Sequence, residues 1–263
     1  MGGFKKTMFR ILKNFFSLFI GKPLVAAKQR SQETMNLILS RRSCRSFTDE
    51  EIGGDDMQAI LEAGRFAPST VNLQTWSFIT FTRAQWREVF DRPIPFNGMQ
   101  AIVICADMYH LKNNFPDLKD TPYVNISFAL FNAGLAAMNM TIAAEALGLK
   151  SIMLSETGKT GLLDFSYLKE KLRLPDKVIP MTTLVVGKAK GEKAGIPPRQ
   201  PWKANVMEKV YNADNCEMLE DWQQQMFIGF KLTHPLSNFQ KQLEMYKKKM
   251  VEAEEELQKQ YKK

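Results

Sequence analysis

Ala67-Pro68-Ser69-Thr70-Val71-Asn72-Leu73-Gln74-Thr75-Trp76 runs without a break into Trp76 to Thr82, a stretch dense in aromatic and β-branched residues, which reads as a turn feeding a strand. Pro and Ser suit the turn. Asn and Gln side chains each both donate and accept, as the edge of a pyrimidine-dione requires, although a plain polar helix-to-strand loop has the same composition. Twenty-two residues upstream, counted from Arg45 to Ala67, the run Arg41-Arg42-Ser43-Cys44-Arg45 sets three guanidinium groups and a hydroxyl within five positions. Arg offers planar paired donors, so the cluster suits a phosphate or an electron-rich ring edge. Taken alone, an Arg-rich helix end is ordinarily a solvated one.

Outward from this junction the chain alternates elements. Residues 33–40 read as a short helix and Asp55 to Phe66 as a second, with Asp55 or Gly54 as its cap. Ala101 to Ala106 is short and apolar enough for a buried strand. Val124 to Leu147 predicts a long helix crowded with Ala129, Ala133, Gly134, Ala136, Ala137, Ala143 and Ala144 and ended by Gly148. Small residues admit a close neighbour, so this helix belongs at the centre of the core or of a dimer interface. Ser151 to Ser155 and Thr182 to Gly187 read as further strands. Near the C-terminus, Phe239, Leu243, Tyr246, Met250, Ala253 and Leu257 recur every three or four residues, an apolar seam along one helix that needs something to pack on.

The net charge of +8 is unevenly placed: residues 1–32 hold Lys5, Lys6, Arg10, Lys13, Lys22, Lys28 and Arg30 and no acid, so seven of the eight excess charges sit there. The nearly neutral remainder offers no broad basic face, and nucleic acid is not an expected partner. Within the arm, residues 4–19 put Phe4, Met8, Ile11, Leu12, Phe15, Leu18 and Phe19 on one helical face with cations opposite. That pattern fits a peripheral anionic membrane surface, a removed organellar targeting peptide, or a segment docked on the dimer; a secretory signal fits less well, and the apolar run is too short to span a bilayer. Cys44, Cys105 and Cys216 form no metal or disulfide pattern, and reduced thiols in a cytoplasmic protein are expected. His110 and His234 lie far apart with no ligand cluster, so no metal site is expected and both are read as surface or loop residues.

The ordered combination of RRSxR followed by APSxxNxQxW resembles the nitroreductase superfamily of FMN enzymes, over roughly residues 33 to 200. Two later pieces are similar to the same family: Ala144-Glu145-Ala146-Leu147-Gly148-Leu149-Lys150-Ser151 leading into Ile152 to Glu156, and Leu184-Val185-Val186-Gly187 followed by Pro197-Pro198-Arg199. The resemblance implies an α+β, three-layer fold with a central mixed or antiparallel sheet flanked by helices, assembled as an intertwined homodimer. It implies that Arg41, Ser43 and Arg199 hold the FMN phosphate with Arg42 beside them, and that Arg45 lies near the N1 and O2 side of the ring. Pro68, Ser69, Asn72 and Gln74 would approach the flavin from the partner subunit, and backbone N–H groups around Ser155 and Glu156 would face N5 and O4. NAD(P)H is the implied electron donor, and Tyr109, Phe115 and Tyr123 in the loop 107–125 could stack on an aromatic acceptor or serve ordinary packing.

The expected organisation is a basic arm (1–30), an FMN-binding domain (31–202) and a helical extension (203–263). The expected activity is electron transfer from NAD(P)H to a nitroaromatic, quinone or similar acceptor, in two alternating half-reactions. A flavin-dependent dehalogenase, a flavin-processing relative and a non-catalytic, membrane-associated FMN-binding protein remain as alternatives. Thr75 stands where many relatives have Pro, a departure expected to loosen the loop, and Pro197-Pro198 fill space where a second basic residue often precedes the phosphate ligand.

Overall fold

A computed structural model describes residues 32–115, 121–155, 159–191, 195–213, 219–233 and 238–261; the N-terminal arm, Glu156, Cys216 and His234 lie outside them. By internal contacts the chain divides into a larger unit, 28–194 with 248–263, and a smaller one that includes 195–247. The larger unit is built on four strands, β1 (Trp76–Thr82), β2 (Gln100–Asp107), β3 (Lys150–Leu154) and β4 (Val178–Gly187), in the order β1-β2-β4-β3. Every neighbouring pair is antiparallel.

The layers follow from the period of two along β2. Ile102, Ile104 and Ala106 face a cluster made by Met57, Ile60, Ala129, Ala133, Ala136 and Met140, which lie on helices α2 (Gly54–Arg65) and α5 (Pro122–Ala146). Ala101, Val103 and Cys105 face a second cluster with Phe47, Trp86, Phe90 and Leu168, supplied in part by α3 (Arg83–Phe90) and α6 (Phe165–Leu172). Both faces of β2 are therefore covered, which is why it reads as a continuous apolar run. Burial pushes the Cys105 thiol up to about 12, with Asp107 adding to the effect, so the group stays protonated and inert.

The small residues of α5 serve the core of the protomer. Ala129, Ala133, Ala136, Ala137 and Ala144 are buried, and Gly64 of α2 sits so close that an added Cβ would lie 2.2 Å from Met140 Cε. The helix ends as the sequence predicts: Gly148 adopts φ +75° and donates to Glu145 O, while Leu149 N–H reaches back to Ala144 O. This paired closure needs a left-handed residue, which glycine supplies without strain. The opposite face of α5 carries Tyr123, Val124, Phe128, Phe131 and Met138, all exposed. Length and composition would let α5 cross a bilayer, but its buried face makes it a core helix.

Several boundaries differ from the sequence reading. β4 begins at Val178, four residues early, because Pro180 is accommodated where the ladder to β2 shifts register between Ile104 and Cys105 and where β3 has already ended. Helix α3 begins in a capping box, Thr82 with Gln85, that the sequence reading missed. Helix α1 (Glu33–Ser40) matches, and α2 starts at Gly54 behind Gly53 without a side-chain cap. The loop 107–125 contains a short helix, α4 (Tyr109–Asn114), so His110 sits on a helix. The smaller unit holds α7 (Trp202–Asn205) and α8 (Leu219–Thr233), which the sequence reading did not delimit within its expected helical extension. The C-terminal helix α9 (Phe239–Tyr261) is present; Ala253 is buried and Leu257 packs on the larger unit's core, whereas Leu243 and Met250 are exposed.

Candidate functional site

Helix α1 stops at Arg41, whose N–H still reaches Leu37 O at 3.0 Å. Arg42 folds back onto the helix end, donating to Leu39 O at 2.9 Å and Arg41 O at 2.6 Å. Its guanidinium thus caps carbonyls that a helix C-terminus leaves without partners, and is less available to a ligand than the sequence reading assumed. Ser43 then bridges to Ser151 in parallel, Cys44 N–H donates to Ser151 O, and Phe47 bridges to Ala189. The segment is therefore stitched to the start of β3 and the chain just past β4. Arg41 and Ser43 are half-buried and Arg45 is exposed. Ser151 Oγ beside them is buried and, among the described residues, has no hydrogen-bond partner.

The second group lies before β1. Ser69 Oγ accepts from Gln74 N–H at 3.0 Å, and Gln74 Nε2 donates to Asn72 Oδ1 at 3.3 Å. Pro68, Asn72 and Gln74 are exposed, with the amide groups at the surface. Thr75 is the exception: only 4% exposed, it accepts on Oγ1 from Asn132 Nδ2 at 2.9 Å, and its carbonyl accepts from Asp107 N–H at 3.1 Å. The departure from Pro has not loosened this end of the loop, since buried hydrogen bonds hold it.

Strand order decides which groups meet. Residues 69–74 precede Trp76, which pairs with Ala106 at the end of β2; Ser155 follows Leu154 at that same end of the sheet. Arg41 to Arg45 sit at the other end, against Ser151 on the opposite edge strand. β1 and β3 are three interstrand steps apart, roughly 14 Å at about 4.8 Å each. The Arg/Ser cluster thus lies beside β3, the strand that Ser155 follows at its far end, whereas the 69–74 loop occupies the corner diagonal to the cluster, and one protomer does not bring the two groups together. Arg199 is exposed and belongs to the smaller unit. Tyr109, Phe115 and Tyr123 are exposed, Tyr123 to 74%.

Residues 38–188 match the Nitroreductase family, more than half of the chain. The chain belongs to the nitroreductase family. The FMN reductase (NADPH) of Bacillus subtilis is 29% identical to it over 194 residues, 69% of this chain and 75% of that protein. The oxygen-insensitive NADPH nitroreductase of Salmonella typhimurium is 26% identical over 201 residues, 73% and 80% of the two. Among solved structures, the NfrA1 nitroreductase of B. subtilis superposes with a TM-score of 0.71 over 87% of this chain and 98% of that one, at 22% identity, which speaks for the fold. Within this nitroreductase-family framework the sequence reading overlooked Asn132. A lone amide amid Ala129, Ala133 and Ala136 on the buried face of α5 was the available signal, because a polar group there is tolerated only when hydrogen-bonded.

Proposed function

We propose that this chain is an FMN-dependent NAD(P)H oxidoreductase that works as a homodimer. The observation that carries the reading is the separation of the two donor groups, in a chain of this family, to diagonal corners of one sheet. A second copy supplies the missing corner most simply. Arg41 and Ser43 would hold the phosphate, a role that the family resemblance also gives Arg199; Arg45 would add a cation that stabilises charge accumulating on reduction. Ser69, Asn72 and Gln74, entering with Pro68 from the partner, would meet the polar ring edge, and main-chain N–H groups near Ser155 and Glu156 would bond to the ring.

The donor set fits this cofactor. Half-buried guanidinium and hydroxyl groups on a stitched segment suit a phosphate, and exposed amide side chains on a pinned loop suit a ring that both donates and accepts. Bound FMN would accept a hydride from NAD(P)H and pass electrons to the second substrate in two half-reactions sharing one site. Tyr109, Phe115 and Tyr123 would offer aromatic faces to a small nitroaromatic or quinone acceptor. Residues 31–202 would form the FMN-binding domain and 203–263 a helical extension. The basic arm would rest on an anionic membrane surface.

The test is direct. The purified protein should be yellow and release FMN, and should oxidise NAD(P)H with at least one member of a panel of nitroaromatics, quinones and halophenols. Arg41→Ala and Arg199→Ala should each weaken FMN binding by about 1.5–3 kcal/mol, roughly 10- to 150-fold in Kd, by removing charge-assisted bonds. A colourless protein that cannot be loaded with FMN would overturn the reading.

A further inference from the structure

We propose that Asn132, Thr75 and Thr70 form a buried clamp that sets the conformation of the 69–74 loop, making them positioning residues for the flavin contacts of Ser69, Asn72 and Gln74; this rests on the reading that the loop meets the flavin. Asn132 is fully buried on α5, and its side-chain amide bonds to this one loop. Its Nδ2 donates to Thr75 Oγ1 at 2.9 Å, and its Oδ1 accepts from Thr70 N–H at 3.0 Å and Thr70 Oγ1 at 3.2 Å. One amide thereby grips the first and last parts of the loop at once.

The loop between those grips is strained. Val71, Asn72 and Gln74 have φ of +50°, +55° and +48°, a region non-glycine residues avoid. Val71 is β-branched, hence the least suited to it, and at 85% exposed it gains no packing in return. Bonds inside the loop, Asn72 N–H to Ser69 O and Leu73 N–H to Thr70 O, close its turns but attach it to nothing else. The attachment comes from Asn132 on the helix side and from Asp107 N–H to Thr75 O on the strand side. Strain kept at an exposed loop by buried restraints places its outward side chains where a relaxed loop would not. Thr75 does with a hydroxyl what a ring constraint would otherwise do at that position.

The decisive pair is Thr75→Val, which is isosteric and removes only the hydroxyl, and Thr75→Ser, which restores it. In the holoenzyme, Thr75→Val should raise the FMN Kd roughly tenfold and alter the visible circular dichroism of the bound flavin, while Thr75→Ser stays within about threefold of the parent. If Thr75→Val is insoluble, Thr70→Val removes just the side-chain bond at the other grip and should move both readouts the same way, to a smaller degree. Wild-type affinity together with an unchanged visible spectrum in the Val variants overturns the clamp. Ser69→Ala and Gln74→Ala separate the two failures: if they weaken FMN binding and the Val variants do not, the clamp alone is wrong; if none of these changes matters, the loop does not meet the flavin.

Discussion

At the scale of single residues, the site segment 43–48, stitched by its backbone to β3 and to the chain past β4, is also anchored by one buried ring. Phe47 is 2% exposed, and a Cβ added to Gly187 would lie 2.8 Å from its Cδ1 and 3.1 Å from its Cγ. Gly187 is thus the hole into which the ring fits at the end of β4. Gly187→Ala should cost about 1–3 kcal/mol, as overpacking does in a filled core, and lower the melting temperature by about 2–4 °C for each kcal/mol. Thermal unfolding followed by circular dichroism checks this; a melt equal to the parent's would mean that Phe47 can move aside freely. The same ring anchors the segment that carries Ser43 and Arg45, so the variant should also bind FMN less tightly. The sequence showed Gly187 only as the end of a strand, because its neighbour lies 140 residues upstream and nothing local marks it.

At the scale of elements, α5 is the informative one, because it is apolar all round yet buried on one side. Its alanine face is spent on α2 and the sheet, which answers whether the small residues serve the core or a dimer: they serve the core. The face with Val124, Phe128, Phe131 and Met138 recurs at spacings of 4, 3 and 7 and is left exposed by the described residues. A second copy of the chain would bury it. Phe131, 59% exposed, is the residue to change. Phe131→Glu should leave the protomer folded but weaken the dimer by about 3–5 kcal/mol, the cost of burying an unpaired charge. Sedimentation velocity on the variant should show monomer with FMN lost alongside; a dimer as tight as the parent's would put the interface elsewhere. The two-faced nature of α5 was not legible from composition, since a helix core on one side and open on the other has the same residue content as one buried all round.

At the scale of the whole molecule, charge is segregated: the first 32 residues carry seven of the eight excess positive charges and precede a nearly neutral body. Phe4, Phe15 and Phe19 lie opposite those cations in the predicted amphipathic helix, outside the described residues. Such a helix binds by sinking its apolar face to headgroup depth while its cations pair with acidic lipid. Full-length protein should therefore pellet with phosphatidylserine vesicles at low salt and be released toward 1 M salt, where the screening length falls to about 3 Å. A chain starting at Ser31 should remain in the supernatant. If the full chain also stays there, the arm is an address or a structural segment and the membrane reading is wrong.

What the sequence determined by itself was local or compositional. Strand β1 could be read to the residue from its aromatic and β-branched run, α5 from its length and its closing Gly148, and the two ligand-type clusters from functional groups crowded within ten residues. Those signals survive in one dimension because period, cap and motif depend on neighbours a few residues apart. Only the tertiary structure decided that Arg42 is turned back onto a helix end, that Thr75 is held by Asn132 from 57 residues away, and that the two clusters occupy diagonal corners of the sheet. Each of these depends on strand order and helix packing, which join residues whose separation along the chain carries no trace of their distance in space.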